Sequence, residues 1–445
     1  MRFDEVGEIS CDPRRARVFE QGWQSWSPTG TYRIGDPAPR PATPLNQILC
    51  YRPDTPVPDG SYQGEGMLAV DPGDGGPVRL WSGTGPGGIP SVRLRAEDGR
   101  LVVSANGPVA ETPYDGGIEA ALAGWADAVA AERGPRPIRA APPLWCSWYG
   151  YWDKVTESDI ATEIALIRRH ALDVDTILLD DGYEAGIGDW LVDRPGFGST
   201  AATADRIRGA GKRAGIWVAP FLVGAASTLH REHPDWLVGG ADAGHMWDQD
   251  LRVLDVTHPD AAEYLAGVFQ ELSWQGFTHF KLDYVYAGAL PGRRHADIHP
   301  EDAYQLGLRL IRQAVGDDAT LHGCGAPLIP SIGHVDIMRV GPDVAPYVQP
   351  KSGDISQPGQ LSARLASQAR EFLHARWWVN DPDCVIVRPG VEEREQWAAF
   401  VAGSGGLRGA SDPLGALDDW GLATTRELLR PAAMAPTLIP AEPAR

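Results

Sequence analysis

The sequence predicts a (β/α)8 barrel preceded by a small N-terminal β-domain, and three observations carry that expectation. From about residue 140 onward, short apolar runs alternate with amphipathic helical patterns, as in a parallel sheet wound by crossover helices. The runs number eight. The residues just past them are polar or ionisable while the opposite ends are not, and barrels of this class gather their chemistry at the carboxyl ends of the strands.

Residues 1–117 are rich in Gly and Pro and hold short alternating stretches such as Ser91-Val92-Arg93-Leu94-Arg95 and Leu101-Val102-Val103, which read as a sandwich-like β-domain. Over 118–139 a helix with Ala121, Leu122, Trp125, Ala128 and Val129 at helical spacing leads into the linker Arg133-Gly134-Pro135-Arg136-Pro137. The barrel is expected over 140–432. Its strands are read at Leu144–Trp148, Thr176–Leu179, Gly215–Ala219, Thr278–Leu282, Thr320–Gly323, Val335–Val340, Ala375–Val379 and Gly405–Gly409. Helices are read at Glu157–Arg169, Ala201–Ala210, Ala261–Leu272, Glu301–Val315, Leu361–Leu373 and Ala423–Leu429. A doubly wound open sheet would carry a Gly-rich phosphate turn after its first strand, and none is present. Residues 433–445 read as a Pro- and Ala-rich tail, with no C-terminal β-domain expected.

Composition narrows the partners. The 445 residues carry a net charge of -19, which repels phosphate backbones and anionic lipid, so neither nucleic acid nor membrane is expected as a partner. Five scattered cysteines suit a reducing compartment better than a disulfide framework. The N-terminus lacks an apolar signal core and no run approaches the length of a membrane span, so the reading is a cytoplasmic protein. Homo-oligomerisation is compatible with all of this.

Lys281 and Asp283 interrupt an apolar strand two residues apart and therefore share a face. A buried carboxylate beside a fixed ammonium is kept ionised, the state a carboxylate nucleophile needs. Asp343 lies in Gly341-Pro342-Asp343-Val344-Ala345-Pro346, a stiff loop suited to an acid that faces one atom. One paired and one less-paired carboxylate from two strand ends are what glycoside hydrolysis requires. Asp180 and Asp181 reach one pocket only if the chain turns after Leu179, which Gly182 permits. Metal binding competes for that acidic pair, but His230, His233, His295 and His299 fall in or beside loops. No metal and no cofactor is expected. Asp381 and Asp383 read first as turn or cap residues.

Together these strand-end motifs resemble the α-galactosidases of glycoside hydrolase family 36, in the melibiase-like clan. The resemblance rests on Trp145-Cys146-Ser147-Trp148-Tyr149, Leu179-Asp180-Asp181-Gly182-Tyr183, Gly188-Asp189-Trp190, Gly215-Ile216-Trp217-Val218-Ala219-Pro220, Leu254-Asp255-Val256-Thr257-His258-Pro259, Phe280-Lys281-Leu282-Asp283, Gly323-Cys324-Gly325 and Arg339-Val340-Gly341-Pro342-Asp343. It implies a retaining double displacement on a small carbohydrate, releasing terminal α-linked galactose, with Asp283 as nucleophile and Asp343 as acid/base. It further implies that Asp180 and Asp181 bind hydroxyls remote from the anomeric carbon, that Lys281 contacts ring hydroxyls and that Arg339 is directed at the 2-hydroxyl. Trp217 resembles the pocket wall, Cys324 and Gly325 line it, and Trp148, Tyr183 and, from the N-terminal domain, Trp26 complete the expected contacts. Tyr183 stands where many members have Trp, the N-terminal domain is shorter than usual, and the family's C-terminal β-domain has no counterpart. Release of N-acetylgalactosamine or β-L-arabinopyranose, or transfer of galactose, would use the same site. A metal-dependent barrel hydrolase and a non-catalytic sugar binder are the alternatives of other classes.

Overall fold

The computed structural model describes residues 2–430 except 86, 87 and 98; the expected tail over 433–445 lies outside the described residues. In the N-terminal domain a four-stranded antiparallel sheet runs Asp4–Ser10, Arg100–Ala105, Ser91–Glu97, Ser61–Glu65. A five-stranded one runs Gly30–Arg33, Arg17–Glu20, Met67–Asp71, Val78–Gly83, Val109–Tyr114. Strand alternation sends Val18, Leu68, Val70 and Trp81 toward Val92, Leu94 and Val103 of the facing sheet. Phe19, Met67, Ala69 and Leu80 point the other way and join one continuous core with the helix Ile118–Arg133 and the barrel. Both faces of the five-stranded sheet are therefore covered, which explains the unbroken apolar run Met67-Leu68-Ala69-Val70.

The barrel strands are β1 Leu144–Cys146, β2 Thr176–Leu179, β3 Arg213–Val218, β4 Phe277–Leu282, β5 Thr320–Gly323, β6 Ile337–Arg339, β7 Val379–Asp381 and β8 Gly409–Ala410. All pair in parallel, in the order β7-β6-β5-β4-β3-β2-β1-β8. Leu407 N–H donating to Asn380 C=O (2.8 Å) and Val385 N–H to Gly409 C=O (2.8 Å) close the ring between β7 and β8. Helix starts follow local chemistry. Thr156 and Asp159 form a reciprocal cap on Glu157–Arg169, and prolines open Pro259–Trp274 and Pro300–Val315, where a missing N–H costs nothing.

Two strands differ most from expectation. The run Ala375–Val379 is read as strand, yet β7 begins at Val379. Ala375 has φ 59, its N–H donates to Trp378 C=O, and the Trp377 indole N–H reaches Ala126 C=O, so Trp377 ties the helix Ile118–Arg133 to the barrel. The last strand is likewise only Gly409–Ala410. Unanticipated altogether is a three-stranded antiparallel excursion after β3, formed by Leu222–Gly224, Gln249–Val253 and His245–Met246. Its hairpin turn holds Trp247 and Asp248 at φ 50 and 55.

The loop 22–29 straps the N-terminal domain to the barrel. Ser25 N–H donates to Ala326 C=O (2.9 Å), and Leu328 N–H to Trp23 C=O (3.2 Å). Beneath the strap, fully buried Arg370 donates to the carbonyls of Ser25 (2.5 Å), Val340 (2.9 Å), Gln24 (3.0 Å) and Ser27 (2.9 Å) and to Thr29 Oγ1 (2.7 Å). Burial with no carboxylate at hand pulls its pKa down to about 9, which leaves it cationic at neutral pH, bound by five oxygens. Arg370→Ala strands these acceptors in a dry seam and should lower the unfolding free energy by at least about 3 kcal/mol, read by urea denaturation.

Candidate active site

The carboxyl ends of β1 to β7 meet in one pocket. Asp283, one residue past β4, is 6% exposed. Its Oδ2 accepts from the Trp217 indole N–H at 2.9 Å, and its Oδ1 from the Tyr284 backbone N–H at 2.9 Å. Tyr284 reaches that position by adopting φ 50, a left-handed conformation that a non-glycine residue holds only under constraint. The ammonium of Lys281 lies 3.7 Å from Asp283 Oδ2 but 2.8 Å from Asp180 Oδ2. The expected Lys281–Asp283 pair is present, but the lysine bridges two carboxylates and sits closer to the one from β2. Burial disfavours its charge, and Asp180 and Asp283 outweigh that, raising its pKa well above the ordinary lysine range.

Asp180 and Asp181 do turn into the same space. Asp180 Oδ2 also accepts from the Cys146 thiol (3.2 Å), and Asp180 Oδ1 from the Asp181 N–H (3.0 Å). Gly182 takes φ 112, and a Cβ there would come within 2.7 Å of the Asp153 backbone, so only glycine lets the turn after β1 close over the acidic pair. Asp181 Oδ2 accepts from the indole N–H of Trp247 (3.0 Å), carried in by the excursion after β3. Asp181 is also hydrogen-bonded to Glu184, whose pKa burial and the Asp181 charge push well above the usual carboxylate range. Burial and the Asp181 charge thus both favour the protonated form of Glu184.

Asp343 has a different setting. Its side chain is 30% exposed, with Oδ1 2.9 Å from Arg339 Nη1 and Oδ2 3.3 Å from the Trp148 indole N–H. Arg339 also meets Asp381 through Nε (3.1 Å) and Asp383 through Nη2 (2.8 Å). Burial works against its charge, and Asp383 and Asp381 more than offset that. Asp383, at φ 90, further accepts from the Val344 N–H (2.8 Å) and the Tyr149 hydroxyl, which couples it to the residue after Asp343. Burial raises its pKa to about 6. Asp381 and Asp383 are thus the clamp on Arg339 and not mere turn residues. Nothing local distinguishes them; only the approach of β6 and β7 does.

Trp217 stands in a chain of rings: Trp217–Trp247 centroids are 6.5 Å apart, Trp247–Tyr284 5.2 Å and Tyr284–Trp26 4.8 Å. The Trp26 ring packs over Gly325, where a Cβ would lie 2.9 Å from it. Cys324 is fully buried, its thiol pushed well above the ordinary range by burial and by the Asp283 charge. Tyr183, expected among the sugar contacts, lies against the Trp217 backbone. It is fully buried and its hydroxyl donates to Trp217 C=O at 3.0 Å, so it props the wall from behind. Trp247, Glu184 and Tyr284 also border these residues and escape the sequence reading, and Cys146, quoted there only within a motif, joins them. Trp247 offers only one weak signal, a tryptophan between two short runs in a polar excursion. Asp189 and Asp255, both inside resembling motifs, serve the scaffold: Asp189 caps Thr228–Glu232, and Asp255 Oδ2 accepts from the His295 N–H (2.6 Å).

Among the described residues no group of three His, Cys, Asp or Glu side chains is arranged to hold a metal ion, and no helix is long and apolar enough to cross a membrane. Behind the pocket His279 stacks edge-on with His322 (centroids 5.5 Å), and burial, then His322, lowers its pKa well below the ordinary value. Its folded pKa lies below its unfolded one, so between the two the unfolded chain binds more protons and stability falls as pH drops below about 6.5. Denaturation midpoints should decline from pH 7 to pH 5, and His279→Asn should flatten the decline.

The sequence profile of the family described as Melibiase matches residues 139–309, from the linker through the helix that follows β4. Over that stretch the chain resembles the melibiase family. TtGalA, the α-galactosidase of Thermus thermophilus solved with p-nitrophenyl α-D-galactopyranoside, superposes with a TM-score of 0.79 at 28% identity, covering 96% of this chain and 92% of that one. The family 36 α-galactosidase AgaA of Geobacillus stearothermophilus shares the fold (TM-score 0.58, 14% identity, 95% of this chain and 61% of that one). In sequence, AgaA is 27% identical over 199 residues, 41% of this chain and 27% of AgaA. α-Galactosidase C of Emericella nidulans is 29% identical over 150 residues, 29% of this chain and 20% of its own length. The chain aligns with only about a quarter of the length of these curated relatives.

Proposed function

We propose that the chain hydrolyses terminal α-linked galactosides by double displacement with retention. Asp283 attacks the anomeric carbon, forming a glycosyl-aspartate as the leaving oxygen takes a proton from Asp343. Asp343 then removes a proton from water, which displaces Asp283 and releases galactose. The observation that carries this reading is the unlike setting of the two carboxylates. Asp283 is buried and oriented through both oxygens, as an in-line nucleophile requires, whereas Asp343 is open enough to meet a leaving group and then water. Asp180, Asp181 and Lys281 offer acceptors and a cation to the far hydroxyls, Arg339 is directed at the 2-hydroxyl, and Trp217, Cys324 and Gly325 shape the wall. The Thermus relative, solved with an aryl α-galactoside and with stachyose, supports this choice of sugar.

A panel of nitrophenyl glycosides, with proton NMR of the first product, tests sugar, linkage and stereochemistry together. Cleavage of the α-galactoside with α-galactose appearing before mutarotation is expected. First release of β-galactose, or selective cleavage of another glycoside, would overturn the reading.

A further inference from the structure

The turn Trp152–Lys154 follows a four-residue helix, Trp148–Tyr151, at the carboxyl end of β1. Trp152 holds φ 51, a conformation that a bulky residue adopts only when its surroundings demand it, and its N–H donates to Trp148 C=O. Two rings clamp its indole edge-to-face: Trp148 at 4.9 Å between centroids and Tyr149 at 5.6 Å. Both clamping rings belong to the apparatus around Asp343. Trp148 donates to the Asp343 carboxylate, and Tyr149 to Asp383, which holds Arg339. On its other side the turn rests against Gly182, beside Asp181. Yet Trp152 stays 41% exposed. Single exposed apolar residues need no explanation, but an indole that is strained, immobilised and open, one ring away from a carboxylate placed to protonate a leaving group, calls for one.

We propose that Trp152 is the platform for the leaving group: a binding site outside the galactose pocket for the flat apolar face of a pyranose or aryl ring attached to the scissile oxygen. The proposal rests on the reading of Asp343 as the acid, because the group that receives its proton must lie beside it and therefore beside Trp148 and Trp152. A rigid aromatic ring binds such a face at small entropic cost, since its own rotamer is already held. A methyl aglycone has no face to offer and gains nothing from it.

The test compares stachyose with methyl α-galactoside. Trp152→Ala should lower the ratio of their kcat/KM values by about three- to tenfold, the range expected for one lost aromatic contact. Trp152→Gly, which suits the left-handed backbone, should show the same fall, and Trp152→Phe should recover most of it. Trp274→Ala, removing an exposed indole at the far end of the helix Pro259–Trp274, serves as control and should leave the ratio unchanged. An unchanged ratio in Trp152→Ala, or a fall in Trp152→Ala that Trp152→Gly abolishes, overturns the platform while leaving the galactosidase reading intact. A wild-type protein inactive on both substrates overturns that reading and the platform with it.

Discussion

Asp283→Ala is expected to remove turnover on every α-galactoside, by roughly 10⁴-fold or more, equivalent to about 5 kcal/mol of transition-state stabilisation. The loss should fall on chemistry and not on folding. Lys281 keeps its 2.8 Å contact with Asp180, so the substitution leaves no buried ammonium without a partner. The Trp217 indole N–H and the Tyr284 N–H lose their acceptor, at a cost in stability of about 1–3 kcal/mol each at most. The cavity left by the carboxylate also admits a small anion. With an activated aryl galactoside, added azide should restore consumption of substrate and yield β-galactosyl azide, inverted because the anion attacks once from the face that Asp283 occupied. An Asp283→Ala protein that still hydrolyses its substrates, or an azide product of retained configuration, would remove Asp283 from the nucleophile's role.

Asp343→Ala should discriminate between leaving groups. With a sugar aglycone the departing oxygen needs a proton, and kcat/KM is expected to fall by roughly 10²–10⁴-fold, the usual worth of a general acid. A nitrophenolate leaves without help, so kcat/KM for the nitrophenyl galactoside should stay within about tenfold while kcat falls, because the same residue must later activate water. Arg339 remains neutralised by Asp381 and Asp383 when Asp343 is gone, so this variant should fold. Equal losses on both substrate types would mean that Asp343 does not act as the acid.

How much of this was legible in the chain differs from residue to residue. Thr176–Leu179 and Thr320–Gly323 are read at their observed bounds, and Glu157–Arg169 is found with both ends right. Their patterns are complete within a few residues and neither end depends on a distant partner. Ala375–Val379 fails because Trp377 and Trp378 look like strand residues while the helix Ile118–Arg133, some 250 positions earlier, claims the Trp377 indole. The site divides in the same way. Asp283, Asp343, Asp180 and Asp181 stand out as ionisable groups at the ends of apolar runs, a contrast visible in one dimension. Trp247, Glu184 and Asp383 carry no such contrast, since each matters only through what another strand brings to it.

The sequence by itself determined the barrel and marked the strand-end carboxylates proposed here for double displacement, because periodicity and the placement of charge in apolar runs are properties of neighbours along the chain. The tertiary structure alone decided which charges meet. Lys281 pairs more closely with Asp180, 101 residues away, than with Asp283 two residues on. Arg339 draws Asp381 from 42 residues downstream. Tyr183 turns its hydroxyl inward to a backbone carbonyl, and Arg370 holds a strap 343–346 residues distant in the chain. Electrostatic and hydrogen-bond energies depend on distances of a few ångströms between side chains, and those distances follow from strand order and register.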